Sequence, residues 1–336
     1  YIFPEENDVA AMLFAHLKHR MIKCGEDLFL FNGKHWREVE PKDHDVFLAQ
    51  IRFLVSGVGT WQKYKNVINF FTSLIPQAPI DLHSPNPQRI TFRNGTLAID
   101  RIDGLWSIKF REHRRDDFSV NYIPHDFDET GEIKNEMFEK MLQNTLGGDE
   151  FADKRKAVAQ MYGACLAPIY PRLFLPHGKG GTGKSTIIVI AKALVSTGNF
   201  SSVQPHEFEG FKMERMAGKL VNLVTDIKVG EPIKDDMIKV IEDRIPVRID
   251  RKFKTALMAP LPAVHVFGAN DLPPTWERGS GAHTRRWTFI KFDSYDAVKR
   301  GIYNKDLTGE IIAAGMAGVI NFAVEGLKSL LEADGH

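Results

Sequence analysis

Hydrophobic positions along the chain fall into three regimes. From the start to about Gly148, short β-prone runs alternate with turn signals. Leu28–Phe31 is an apolar run, followed by Asn32-Gly33 and then by Lys34–Val39 carrying Trp36. Ile90–Arg93, Asn94-Gly95 and Thr96–Ile99 repeat that arrangement. Asn-Gly between such runs predicts a hairpin whose two central residues both take positive φ. The polar stretch 126–136, DFDETGEIKNE, reads as a surface loop. A helix should follow it, with Phe138, Met141 and Leu142 on one face.

Between about 150 and 295 the pattern changes to strand–helix alternation. The apolar run Arg172–Leu175 should stop at Pro176 and enter a glycine-rich turn. Beyond it IIVIAKALV (187–195) is apolar all round, which predicts a helix buried against a sheet. KLVNLVTD (219–226), AVHVFGAN (263–270) and RRWTFIKF (285–292) are further strand candidates. Such alternation predicts a parallel sheet with ligands at the C-terminal ends of its strands. In the third regime Ile312, Met316, Val319, Ile320, Ala323, Leu327, Leu330 and Leu331 follow helical spacing, so the chain closes on a helix or helix pair.

Composition narrows this only by exclusion. The 336 residues are 43% hydrophobic and 26% charged, which excludes a disordered chain, a collagen-like fibre and a disulfide scaffold. No apolar run is long enough for a membrane span, and the first twenty residues lack a signal-peptide core. A net charge of +1 names no partner, so any nucleic-acid contact must come from a local patch. The two cysteines, Cys24 and Cys165, form no redox motif and suit the cytoplasm. A chain that opens on Tyr1 is expected to be a piece of something longer.

The chemistry begins at GKGGTGKST, which fits G-x-x-x-x-G-K-[ST] and spans Gly178, Lys179, Gly180, Gly181, Thr182, Gly183, Lys184, Ser185 and Thr186. A phosphate loop needs glycines so that successive backbone N–H groups turn inward without Cβ clashes. It also needs a helix starting at the lysine, whose dipole and free N–H groups favour the anion. Lys184 would reach the β- and γ-phosphates of ATP, and the Ser185 hydroxyl would ligate Mg2+. Asp226 closes a strand run where a ligand to Mg2+ through water belongs, or else caps a turn. Asn270 closes another; its amide could orient the attacking water, or begin the turn into Asp271-Leu272-Pro273-Pro274.

The ordered set GKGGTGKS, VNLVTD, PVRIDRKFK, VFGANDLPP and RRWTFIKF resembles a superfamily-3 helicase of the AAA+ class. It is most similar to the helicase half of the phage and plasmid primase family, the C-terminal part of phage primase–polymerases. FRNGTLAID and DDFSVNYIPHDFD resemble the small domain that precedes that core. The resemblance implies an α/β P-loop AAA+ type core with a parallel sheet at 149–295, an α+β domain at 1–148 before it, and a C-terminal helical lid at 296–336. It implies a homo-oligomer, a hexameric ring, that hydrolyses ATP with Mg2+ and moves along single-stranded DNA or a forked duplex. A primase or polymerase region would lie on the same longer chain.

The same resemblance assigns residues. PVRIDRKFKTALMAPLPAVHVFGAN is similar to the hairpin that grips DNA in the ring channel, with Lys252 and Phe253 at the basic and aromatic positions. The residues themselves agree in kind, because Arg248, Arg251, Lys252 and Lys254 surround an aromatic and could pair phosphates and stack on a base. A solvated charged hairpin is the plainer alternative. Arg286 matches an arginine finger acting on the neighbouring subunit's nucleotide, with Arg285 as the fallback; the plainer reading is a surface arginine pair. Lys239 matches a second basic group acting in trans, although Asp235, Lys239 and Asp243 also have the spacing of helix ion pairs.

Two departures bear on the chemistry. Thr225 precedes a single Asp226 where many relatives carry two acids, leaving Asp226 or Glu231 as general base. Phe253 stands where histidine is usual, which leaves stacking without a hydrogen-bond donor. A zinc site at His16, His19 and Cys24 is set aside because no fourth ligand is in view. The basic run Lys109–Arg115 reads as a solvated loop because Asp116 and Asp117 follow at once. The remaining alternatives are a DNA-stimulated ATPase that loads or remodels without unwinding, and a small-molecule phosphotransferase.

Overall fold

The computed structural model describes residues 6–39, 61–227, 235–252, 255–271, 287–293 and 304–333. Its chain forms two compact units, the first comprising residues 1–82 and 114–120 and the second residues 83–113 and 121–336.

In the first unit, α1 (Glu6–Leu17) is followed by strands β1 (Met21–Cys24), β2 (Asp27–Phe31) and β3 (Trp36–Glu38), and then by α2 (Trp61–Leu74). The strands form an antiparallel sheet in chain order. Strand alternation divides β1 between two cores. Met21 joins Val9, Leu13, Val67 and Phe71 beneath the helices, and Ile22 joins Phe29, Trp36 and Leu82. Asn32 builds the β2–β3 turn: its Oδ1 accepts from the N–H groups of Lys34 and His35, both at 3.0 Å. Only Gly33 of the Asn-Gly pair has positive φ, +98°, so this is a wider loop than the expected two-residue turn.

The second unit opens with β4 (Arg89–Phe92), β5 (Thr96–Ile102), β6 (Leu105–Arg111) and β7 (Tyr122–Ile123), in the spatial order β6-β5-β4-β7. At the β4–β5 turn neither Asn94 nor Gly95 has positive φ. Gly95 is needed there for another reason, since a Cβ would lie 2.5 Å from the Phe110 ring and 2.7 Å from the Arg111 carbonyl. Lys109–Arg111, expected in a solvated loop, are the end of β6.

After the loop 126–135 come α3 (Glu136–Leu146) and α4 (Phe151–Leu166). The side chain of Asn135 caps α3 by accepting from Phe138 N–H at 2.9 Å. The parallel sheet consists of β8 (Arg172–His177), β9 (Phe200–Ser201), β10 (Val221–Val224), β13 (Val264–Phe267) and β14 (Trp287–Lys291), in the order β14-β8-β13-β10-β9. Helix α5 (Lys184–Val195) follows β8, α6 (Asp235–Glu242) follows β10, and β11 (Val247–Ile249) pairs with β12 (Leu257–Ala259) as an antiparallel hairpin. β8 does not stop at Pro176 but runs through it to His177, pairing with β14. The missing N–H is tolerated there while the Pro176 carbonyl accepts from Ala269 N–H at 3.0 Å.

Helices α7 (Leu307–Ala313) and α8 (Ala317–Glu332) close the unit. α8 lies on α4 at backbone contact: a Cβ on Gly163 would meet the backbone of Leu327, and one on Gly326 the backbone of Ala159. The expected lid is therefore a core element over Ala317–Glu332, sharing one apolar cluster with α3, α4, α5 and strands β4 and β5. That shared cluster also explains why the compact units do not divide at 148. Among the described residues no single helix is long and apolar enough to cross a membrane.

Candidate functional site

β8 ends at His177, and the next six residues, Gly178–Gly183, turn into α5. Three glycines make the turn possible, with φ of +142° at Gly178, +78° at Gly181 and +93° at Gly183. Gly178 passes against the Phe292 carbonyl, and a Cβ on Gly183 would come within 2.6 Å of the Thr145 side chain. The Thr182 hydroxyl donates to Lys179 O at 2.8 Å, which closes the loop on itself. Gly183 is the cap residue of α5, and its carbonyl accepts the first recorded turn bond, from Ile187 N–H at 3.1 Å. The N–H groups of the first helical turn therefore have no intrahelical acceptor and lie at the positive end of the helix dipole. Such a loop and helix start suit a polyphosphate.

Lys184 is 6% exposed. Its ammonium donates to the carbonyls of Gly178 at 2.5 Å and Lys179 at 2.8 Å, inside the loop. Burial lowers its pKa, and the carboxylates of Asp226 and Asp271 act against that shift. His177 is also shifted down, first by burial and then by the Lys291 charge, with Asp293 opposing. Asp293 accepts from Lys154 and Lys291, both at 2.8 Å, which holds it below the usual carboxylate range.

Two neighbouring strand tips face the same edge. β13 pairs directly with β8, and β10 lies one strand further out. The tips are tied together, because Gly268 N–H donates to Val224 O at 2.8 Å and Ile227 N–H to Gly268 O at 2.9 Å. Gly268 is required at this point, since a Cβ would strike the Thr225 carbonyl. Asp226 and Asn270 are both exposed there, and the backbone carbonyl of Asp226 accepts from Gln204 Nε2 at 3.0 Å. At about 4.8 Å per strand, Asp226 starts roughly 10 Å across the sheet from β8, room for a metal-bound phosphate between them. Ser185 is exposed at the start of α5. The donors, the lysine and the carboxylate thus fit a Mg2+–nucleoside triphosphate.

The β11–β12 hairpin is present, with Arg248 paired to Asp250 at 3.0 Å. Arg251 Nε donates to Thr255 O at 2.9 Å, and the exposed Lys252 donates its backbone N–H to Glu214 at 3.3 Å. Its ammonium belongs to an exposed residue at the turn.

Comparison with known proteins covers both parts of the chain. Residues 10–147 match the family described as D5 N terminal like. Residues 177–286 match a family of unknown function, DUF5906. No curated protein matches. Among solved structures the chain is similar to apo structures of the NrS-1 C terminal region, with TM-scores of 0.54, 0.52 and 0.53 at 10%, 10% and 12% identity. These cover 98% of this chain and 74–75% of the other, a likeness of fold alone.

Not every expected site residue can be located. Phe253, Lys254, Glu231, Arg285 and Arg286 lie outside the described residues. Lys239 is exposed on α6. Cys24, once weighed as a metal ligand, donates to Asp81 at 3.4 Å and accepts from Leu82 N–H at 3.3 Å. Asp271, read in the sequence only as part of a turn, is exposed just past Asn270, and its charge acts on Lys184.

Proposed function

We propose that this chain is an ATP-dependent DNA helicase or translocase of phage or plasmid replication, built on a P-loop AAA+ core. The observation that carries the reading is the loop Gly178–Thr186 between β8 and α5, with Lys184 inside it and Asp226 and Asn270 on the adjacent strand tips. The two family matches support it, because they fall in the order expected for a primase-associated domain followed by a helicase core.

In this reading ATP binds with its β- and γ-phosphates over the start of α5, and a bound Mg2+ would supply positive charge against the charge that develops on transfer. Backbone N–H groups of the loop hold the phosphates, and Lys184 exchanges its loop carbonyls for phosphate oxygens. Ser185 and Asp226 would hold the Mg2+, Asp226 through water. Asn270 orients the attacking water. Lys239 lends a further positive charge from a neighbouring subunit.

Arg286 acts across a subunit interface. Trp287, the residue after it, pairs with Leu173, while the other end of β14, Lys291, pairs with His177 beside the loop. Four residues at about 3.3 Å each separate Trp287 from the loop's edge. A ring of like subunits, a hexamer, supplies the interface. Arg251, Lys252, Phe253 and Lys254 then grip single-stranded DNA, and a primase or polymerase region lies on the same longer chain in the host cytoplasm.

Strand separation on a fluorescent forked duplex tests the helicase step. Lys252→Ala should lower affinity for single-stranded DNA and reduce the log–log salt slope by about 0.7 per lost phosphate contact. Phe253→Ala should lose roughly 1–3 kcal/mol of stacking with the slope unchanged. Both should retain DNA-independent ATPase and lose unwinding. Variants that unwind like the parent would leave a DNA-stimulated ATPase without this grip.

A further inference from the structure

We propose that Asp271 is the general base of ATP hydrolysis, an assignment that rests on the ATPase reading above. The tip of β10 offers a single acid, because Thr225 precedes Asp226. A carboxylate engaged with Mg2+ through water makes a poor base, since the cation's charge stabilises its ionised form. The proton must therefore go elsewhere.

β13 is the strand that meets the phosphate loop directly. Gly178 N–H donates to Ala269 O at 3.2 Å, and Ala269 N–H donates to Pro176 O at 3.0 Å. Asp226 stands near the level of Gly268, which bonds Val224 and Ile227 on either side of it. Asn270 and Asp271 continue past that level beside the mouth of the loop, and both are exposed. An amide and a carboxylate on consecutive residues can hold one water between them. The carboxylate is close enough for its charge to act on the buried Lys184 ammonium, as that of Asp226 does. Exposure also lets Asp271 return the proton to solvent.

The step balances without another reactant. The oxygen of water forms a bond to the γ-phosphorus, and the bond from that phosphorus to the β–γ bridging oxygen breaks. Its electron pair leaves with ADP. Asp271 takes the proton from the attacking water.

The test compares Asp271→Asn, Asp271→Glu, Asp226→Asn and Glu231→Gln in the purified chain. Nucleotide binding is followed by the fluorescence of N-methylanthraniloyl-ATP with and without Mg2+, and turnover by phosphate release. Asp271→Asn should bind the probe within about twofold of the parent while hydrolysing ATP about 100-fold or more slowly, the usual weight of a general base. Asp271→Glu should recover part of that turnover. Asp226→Asn should instead lose the Mg2+-dependent part of probe binding. Turnover by Asp271→Asn within threefold of the parent, or its retention while Glu231→Gln loses it, overturns the assignment and leaves the ATPase reading intact. A parent that neither binds the probe nor hydrolyses ATP overturns both.

Discussion

Acid should loosen the parallel sheet through His265, and His265→Gln should remove much of that sensitivity. His265 on β13, Asn222 on β10 and Ser201 on β9 are paired in register across the sheet, and His265 and Asn222 are fully buried. Ser201 Oγ donates to Asn222 Oδ1 at 2.8 Å, and Asn222 Nδ2 reaches Val203 O at 2.8 Å and His265 Nδ1 at 3.4 Å. With His265 Nε2 donating to Pro262 O at 2.9 Å, the neutral ring is satisfied on both nitrogens. A second proton would face the Asn222 amide and the rings of Phe208 and Phe267. Burial accordingly pushes the imidazole pKa down to about 4 from its ordinary 6.5.

The sign follows from that depression. Between these values the unfolded chain binds a proton that the native chain does not, so stability falls as pH drops from 6.5 towards 4. The full effect is about 3 kcal/mol, of which about 2.5 kcal/mol is lost by pH 4.5. Urea midpoints at pH 7 and pH 4.5 should therefore separate by roughly 1 M more in the parent than in His265→Gln. The glutamine amide can still reach Pro262 O but does not titrate. Equal separations in the two proteins would refute the reasoning.

Further outcomes follow from the helix contact and the interface. Gly326→Ala forces a Cβ into the backbone of Ala159 and should cost about 3 kcal/mol, a fall in Tm of roughly 6–12 °C. Gly309→Ala in α7, with open space around its Cβ, should be neutral or stabilising by about 0.5 kcal/mol in the same melt. Arg286→Ala should bind ATP nearly normally and hydrolyse it poorly, yet recover activity when mixed with Lys184→Ala, because some mixed interfaces contain both residues. No recovery in mixtures of confirmed assembly would speak for a role within one chain.

Local chemistry made part of this architecture readable. The glycine-rich loop between β8 and α5 is legible from glycines at fixed spacing, and the run after it, apolar but for Lys192, is long enough for a helix packed on a sheet. The strands that lead towards Asp226 and Asn270, β10 and β13, are short, mostly apolar runs of the kind that parallel sheets bury on both faces. β6 was missed because Lys109–Arg111 were read as part of a basic loop, although Leu105–Arg111 ends in the apolar/polar alternation of a half-buried strand. Its turn was nonetheless legible: Asp103 and Gly104 have φ of 51° and 82°, the pattern an Asp-Gly hairpin demands. Gly95 was legible as a turn glycine, but its reason, the approach of Phe110 and Arg111, depends on a strand outside its own hairpin pair. Pro176 misled because a proline lacks only the donor, while its carbonyl still serves β13. The unit boundary depends on Ile90 and Phe92 sharing a core with Phe138 and Tyr162, a long-range packing fact that no local pattern carries.

ATP hydrolysis by the parent and by Lys184→Ala, with and without single-stranded DNA and across protein concentration, tests the central claim most directly. Turnover per chain should rise with protein concentration as interfaces form, and rise again with DNA. Lys184→Ala should lose about 100-fold or more, the scale of removing a charge that stabilises the transferring phosphoryl group. Hydrolysis undiminished in Lys184→Ala, or absent from the parent at every concentration, would contradict the account.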